Sequence, residues 1–142
     1  MATRTLVATK HLIVTIDPER ALSTFTRLET PFATTEEMVQ AVQSAFSLLK
    51  QSGGASCGML LDLRRAPGRN DDPGFEARVT ALFTKNRDAF LRFAVVVGTA
   101  SGRLHVQRIG RQLHAPGDVF LVEAEALAFL RTGEMPTRGN RR

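Results

Sequence analysis

The stretch GMLLDLRRAPGRNDDPGFEARV, Gly58 to Val79, decides the fold. Gly58 to Leu63 is an apolar run too short for a helix, and it reads as a buried strand. A polar loop follows, broken by Pro67-Gly68. Asp72 before Pro73 then marks a helix start, because an aspartate N-cap accepts a free backbone N–H and proline fits the first helical position. Phe75, Val79, Leu82 and Phe83 supply that helix with a buried face. Beyond it, RFAVVV (Arg92 to Val97) is the most strongly apolar strand of the chain. Two buried strands joined through a helix are the unit of a parallel sheet.

Upstream, HLIVTID (His11 to Asp17) reads as a strand, with a turn at Pro18-Glu19 and a second strand over Ala21 to Glu29, an antiparallel hairpin. Thr34 with Glu37 forms a capping box, and Met38, Val42, Ala45 and Leu49 recur at helical spacing until Gly53-Gly54. This predicts a helix over about residues 35–51. Downstream, Ser101 is placed to cap a third helix that turns Val106, Ile109 and Leu113 inward and breaks at Gly117. Asp118 to Val122 gives a last strand and EAEALAFL (Glu123 to Leu130) a last helix. The expected fold class is therefore α/β, a single domain of order ββαβαβαβα with a mixed sheet flanked by helices. Residues 1–10 are read as an N-terminal extension, 11–131 as the domain and 132–142 as a basic, flexible tail.

With 142 residues and 43% hydrophobic content, the chain suits one domain with a real core. A single cysteine, Cys57, cannot form an intramolecular disulfide, and MATRTLVATK lacks the apolar stretch of a secretory signal. No run of apolar residues is long enough to span a membrane, so a cytoplasmic location is expected. The net charge of +5 favours acidic partners. Sixteen of the nineteen basic residues are arginine, however, as coding bias alone would give, and the absence of Trp and Tyr to stack on bases argues against nucleic acid.

The order of elements over about residues 11–131, together with LLDLR (Leu60 to Arg64), the loop ending NDDPGF, FAVVVG (Phe93 to Gly98) and EAEALAFL, resembles the STAS domain, the family of SpoIIAA-like bacterial anti-sigma-factor antagonists. The resemblance implies a regulatory protein that works by protein–protein interaction, with an anti-sigma factor or a related regulatory kinase as partner. In switching members of that family, the loop after the LLDL-like strand carries a serine that the partner kinase phosphorylates. That place falls here at Asp71 or Asp72, and no Ser or Thr lies between Asp62 and Gly74. Fixed negative charge thus stands where phosphorylation would add about −1.5 to −2. Arg65, Arg69, Asp71, Asp72 and Phe75 form the expected partner-binding surface. The two aspartates also serve as plain helix-capping charges, and Arg64, Arg65 and Arg69 can neutralise them locally.

From Ala89 to Gly117 there is no Asp or Glu, whereas Arg92, Arg103, Arg108 and Arg111 make the third helix basic. Within this segment GTASGR joins a buried strand to a helix N-terminus, so Ser101, Gly102 and Arg103 form a weak candidate for anion binding without the lysine of a P-loop. No catalytic constellation is present. Cys57 has no base paired with it by motif, His11, His105 and His114 lack metal-ligand spacing, and Asp62 reads as a loop anchor. Neither a metal nor a cofactor is expected. Two functions follow: a non-enzymatic STAS-like interaction module in sigma-factor or partner-switching signalling, without a phosphoserine switch; or a small-molecule carrier or sensor holding a nucleotide or lipid head group at Ser101–Arg103. A scaffold role as a homodimer is the third possibility.

Overall fold

Alternation of side chains sets the sheet. In LIVTID, Leu12, Val14 and Ile16 are buried while Ile13, Thr15 and Asp17 are half-buried, the period-2 pattern of a strand covered chiefly on one face. The computed structural model describes residues 3–67, 73–112 and 118–134. Its strands are β1 (Arg4–Ala8), β2 (Leu12–Asp17), β3 (Leu22–Arg27), β4 (Gly58–Asp62), β5 (Arg92–Val96) and β6 (Asp118–Phe120). They form one sheet in chain order. β1, β2 and β3 are antiparallel neighbours, and β3 to β6 are parallel.

The helices are α1 (Thr35–Gln51), α2 (Pro73–Arg87), α3 (Ala100–Gln112) and α4 (Glu123–Thr132). Each parallel connection steps one strand in the same direction, so crossovers of the usual hand place α1, α2 and α3 on one face. The main core follows: Met38, Val42, Phe46 and Leu82 from the helices meet Phe25, Leu61 and Val95 from the sheet, and Val106 of α3 packs against them. On the other face α4 sets Ala126 and Leu130 against Leu60, Ala94, Val96 and Phe120. Its approach is close at Gly58, where a Cβ would stand 3.2 Å from that of Leu130.

Local chemistry explains the bounds of α1. The Thr34 hydroxyl accepts from the Glu37 N–H at 3.0 Å, while the Glu37 carboxylate accepts from the Ala33 N–H at 2.7 Å, one residue earlier than the usual capping box. Gly53, at φ +91°, ends the helix in the left-handed region.

The structure departs from the sequence expectation in three places. The strand order is βββαβαβαβα, because β1 lies within residues 1–10. It is an edge strand in which only Leu6 and Val7 pack against the core, so it carries little hydrophobic signal. The cap of α3 is Thr99 rather than Ser101: its hydroxyl accepts from the Gly102 N–H at 3.0 Å and the helix begins at Ala100. The last strand stops at Phe120 and α4 runs on to Thr132. Arg69, Asp71, Asp72, Leu113, His114, Gly117, the Ile109 and Arg111 side chains and the tail beyond residue 134 lie outside the described residues.

Candidate functional site

The C-terminal halves of α1 and α2 are closed by rings. Phe46 and Phe83 meet edge to face at 5.2 Å, both touch Phe25 of β3, and Phe46 also meets Phe90. Beside them Lys50 Nζ donates to Asn86 Oδ1 at 2.6 Å, and the buried Asn86 amide donates to the Leu82 carbonyl. One turn toward the N-terminus, Val42 stands where Phe46 stands and Val79 where Phe83 stands. The smaller side chains leave room.

That room is a cleft of about 640 Å³ over the C-terminal ends of β3 and β4. Phe25 and Leu61 floor it from the strands and Leu63 continues the floor past the end of β4. Met38 and Val42 wall it from α1, Phe75, Val79 and Phe83 from α2, and Pro31, Phe32, Ala66 and Pro67 from the two loops. Among the described lining residues only Arg27 carries a polar side chain.

Arg27 reaches this position by strand alternation. Ser23, Phe25 and Arg27 share the inward face of β3, so its last residue sets a guanidinium at the rim of the core. Its Nη1 group donates to the carbonyls of His11 at 2.8 Å, Leu28 at 2.7 Å and Thr30 at 3.0 Å. The guanidinium carbon lies 4.4 Å from the centre of the Phe32 ring, on which His11 also stacks. Burial lowers the Arg27 pKa from its ordinary value, yet an arginine stays charged. None of the ion pairs among the described residues involves Arg27.

The opposite face anchors the cleft's β4 side. Asp62 accepts from Arg64 at Nη2 (2.7 Å), Nε (3.0 Å) and the backbone N–H (3.0 Å), and Arg64 Nη2 also reaches Glu123 of α4 at 2.8 Å. Burial alone would raise the Asp62 carboxyl, but the Arg64 hydrogen bonds and the charges of Arg64 and Arg65 outweigh it and hold the group below its ordinary range. The two carboxylates raise the Arg64 pKa in turn, through their hydrogen bonds first. Asp62 is occupied as a loop anchor.

Of the residues expected to bind a partner, Arg65 and Phe75 are among those described. Arg65 is exposed and paired with Glu29 at 2.9 Å. The Glu29 carboxyl is lowered by its own backbone hydrogen bond first and by Arg65 second. Phe75 is half-buried and lines the cleft. Of the weak anion candidate, Ser101 is exposed, the Gly102 N–H is taken by the Thr99 hydroxyl and the Arg103 N–H by the Thr99 carbonyl at 3.0 Å. Those two N–H groups are therefore not free for an anion. Strands β3 to β6 also run in order without reversal, so β5 offers no switch-point crevice of the kind that holds nucleotides in doubly wound sheets.

Sequence reasoning passed over Arg27. The signal was available: an arginine in phase with Ser23 and Phe25 on the inward face of a strand is a buried charge that demands a partner. Among the described residues no group of three His, Cys, Asp or Glu side chains could hold a metal ion, and no helix is long and apolar enough to cross a membrane. Comparison of the chain with protein-family models, with curated proteins and with solved structures found no match.

Proposed function

We propose that the chain is a non-enzymatic binding module, a small-molecule carrier or sensor acting in the cytoplasm, with its ligand seated between α1 and α2. One observation carries this reading: an apolar cleft of about 640 Å³ with a half-buried guanidinium that no carboxylate among the described residues neutralises. Small-molecule sites commonly occupy roughly 300–1,000 Å³ and combine apolar walls with a few placed polar groups. The described lining offers no nucleophile and no acid or base, so it is equipped to hold a molecule rather than transform it. This moves the ligand seat from Ser101–Arg103 to the ends of β3 and β4. A neutral, environment-sensitive apolar fluorophore is expected to bind wild type, and Val79→Phe is expected to abolish that binding by setting a ring in the cleft. Equal binding by both proteins would remove the cleft from the account.

The element order and the fixing of the β4 loop by Asp62, Arg64 and Glu123 support a second reading, a STAS-like partner-switching module. On this reading Asp71, Asp72 and the start of α2 meet an anti-sigma factor or a related kinase. Asp71→Ala/Asp72→Ala is then expected to lose a protein that wild type retains in affinity capture. Retention by both baits would leave the two aspartates no recognition role.

A further inference from the structure

We infer that the ligand of the cleft is a single-chain apolar carboxylate, a free medium-chain fatty acid, with its head on Arg27 and its chain along Phe25, Leu61 and Val79. The inference rests on the proposed role of the cleft as a ligand seat and names the chemistry that seat selects. Three features of the site carry it.

First, Arg27 is fixed before any ligand arrives. Three backbone carbonyls hold Nη1 and the Phe32 ring stacks on the guanidinium, so little side-chain freedom is left to lose on binding. Second, the hydrogen bonds of Arg27 among the described residues all use Nη1. Among the described residues the Nε and Nη2 edge has no hydrogen-bond partner, and two parallel N–H groups on one edge match the two oxygens of a carboxylate. Third, the remaining described lining is apolar. A nucleotide would bring a sugar, a base and several phosphate oxygens into a place with one donor group, leaving desolvated polar atoms unpaired. A lipid head group with a multiply charged phosphate meets the same shortage. One fixed cation beside an apolar trough suits one monoanionic head on one apolar chain.

Ligand displacement on the 142-residue chain separates this inference from the reading beneath it. The neutral fluorophore is displaced in turn by decanoate, by octanoate and by 1-decanol, with Val79→Phe as the control for surface binding. Decanoate is expected to displace the probe about tenfold or more better than 1-decanol, as a charge-assisted hydrogen bond implies. Each methylene added to the acid is expected to tighten displacement roughly fourfold. In Arg27→Leu the acid's advantage is expected to vanish while the probe still binds. If that variant fails to fold, Arg27→Gln replaces it, and the comparison of acid with alcohol on wild type decides in any case. Acid and alcohol competing equally on wild type would overturn the carboxylate and leave the cleft as a ligand seat. A probe that binds Val79→Phe as well as wild type would overturn both.

Discussion

The two halves of the α1–α2 interface cover the same sheet face and differ in side-chain size at one position of each helix. At the C-terminal half Phe46 and Phe83 fill the space down to Phe25, and Lys50 with Asn86 seals the side. At the N-terminal half Val42 and Val79, one helical turn away on the same stripes, leave a cleft with a cation at its rim. The difference teaches that one interface serves both stability and binding by changing side-chain volume along a constant backbone. Phe46→Ala is expected to break the closed half outright. Removal of a fully buried ring that meets three others costs about 3–5 kcal/mol, read as a lower denaturation midpoint with unchanged slope. Val79→Ala at the half-buried open end is expected to cost less than about 1 kcal/mol by the same measurement. Equal losses would mean that the open half is packed as tightly as the closed one.

A smaller effect sharpens the comparison through pH. Leu63, Ala66 and Pro67 wall the open half from the β4 loop, and Asp62 with Arg64 holds that loop from the opposite face. Because folding depresses the Asp62 carboxyl below its ordinary value of 3.8, its contribution is full above that value and fades as pH falls through the lower folded value. Asp62→Asn is therefore expected to cost about 1 kcal/mol near neutral pH, with allowance for the partly exposed Arg64, and the gap to wild type is expected to close on acidification below the ordinary value. Amide exchange should quicken at residues 63–66 in the variant while the closed half stays protected. A gap that widens in acid would contradict the assignment of Asp62 as a charged anchor.

How much of this was legible from the residues depends on how local its cause is. Both ends of α1 could be read because Thr34, Glu37 and Gly53 act within one turn of the helix they bound. β4 and β5 could be read because strands covered on both faces are continuously apolar. β1 could not, since its place in the sheet comes from pairing with β2 at an exposed edge rather than from burial of its own side chains. Ser101 was read as the cap of α3, but Thr99 stands only two residues before it, and spacing cannot rank the two. The cleft was further from reach. It needs the register of Val42 against Val79 across two helices, and the hold on Arg27 needs carbonyls from the hairpin and the following loop. The partner surface centred on Asp71 and Asp72 was argued from a resemblance, and of its members Phe75 lines the cleft and Arg65 pairs with Glu29.

An expected effect of opposite sign concerns a flaw in the closed half. Ser23 precedes Phe25 on the inward face of β3 and is fully buried, and its hydroxyl has no hydrogen-bond partner among the described residues. A desolvated, unmatched hydroxyl opposes folding by roughly 1–3 kcal/mol relative to an apolar group of similar size. Ser23→Ala removes the hydroxyl and leaves a gap of a single oxygen, so the variant is expected to gain about 1 kcal/mol, seen as a midpoint shifted to higher denaturant. The gain should appear equally with and without a ligand in the cleft, because Ser23 is not among the described residues that line it. A loss of stability would mean that the hydroxyl is satisfied in solution by a buried water or a shifted carbonyl, and the closed half would then be as well matched in its polar groups as in its rings.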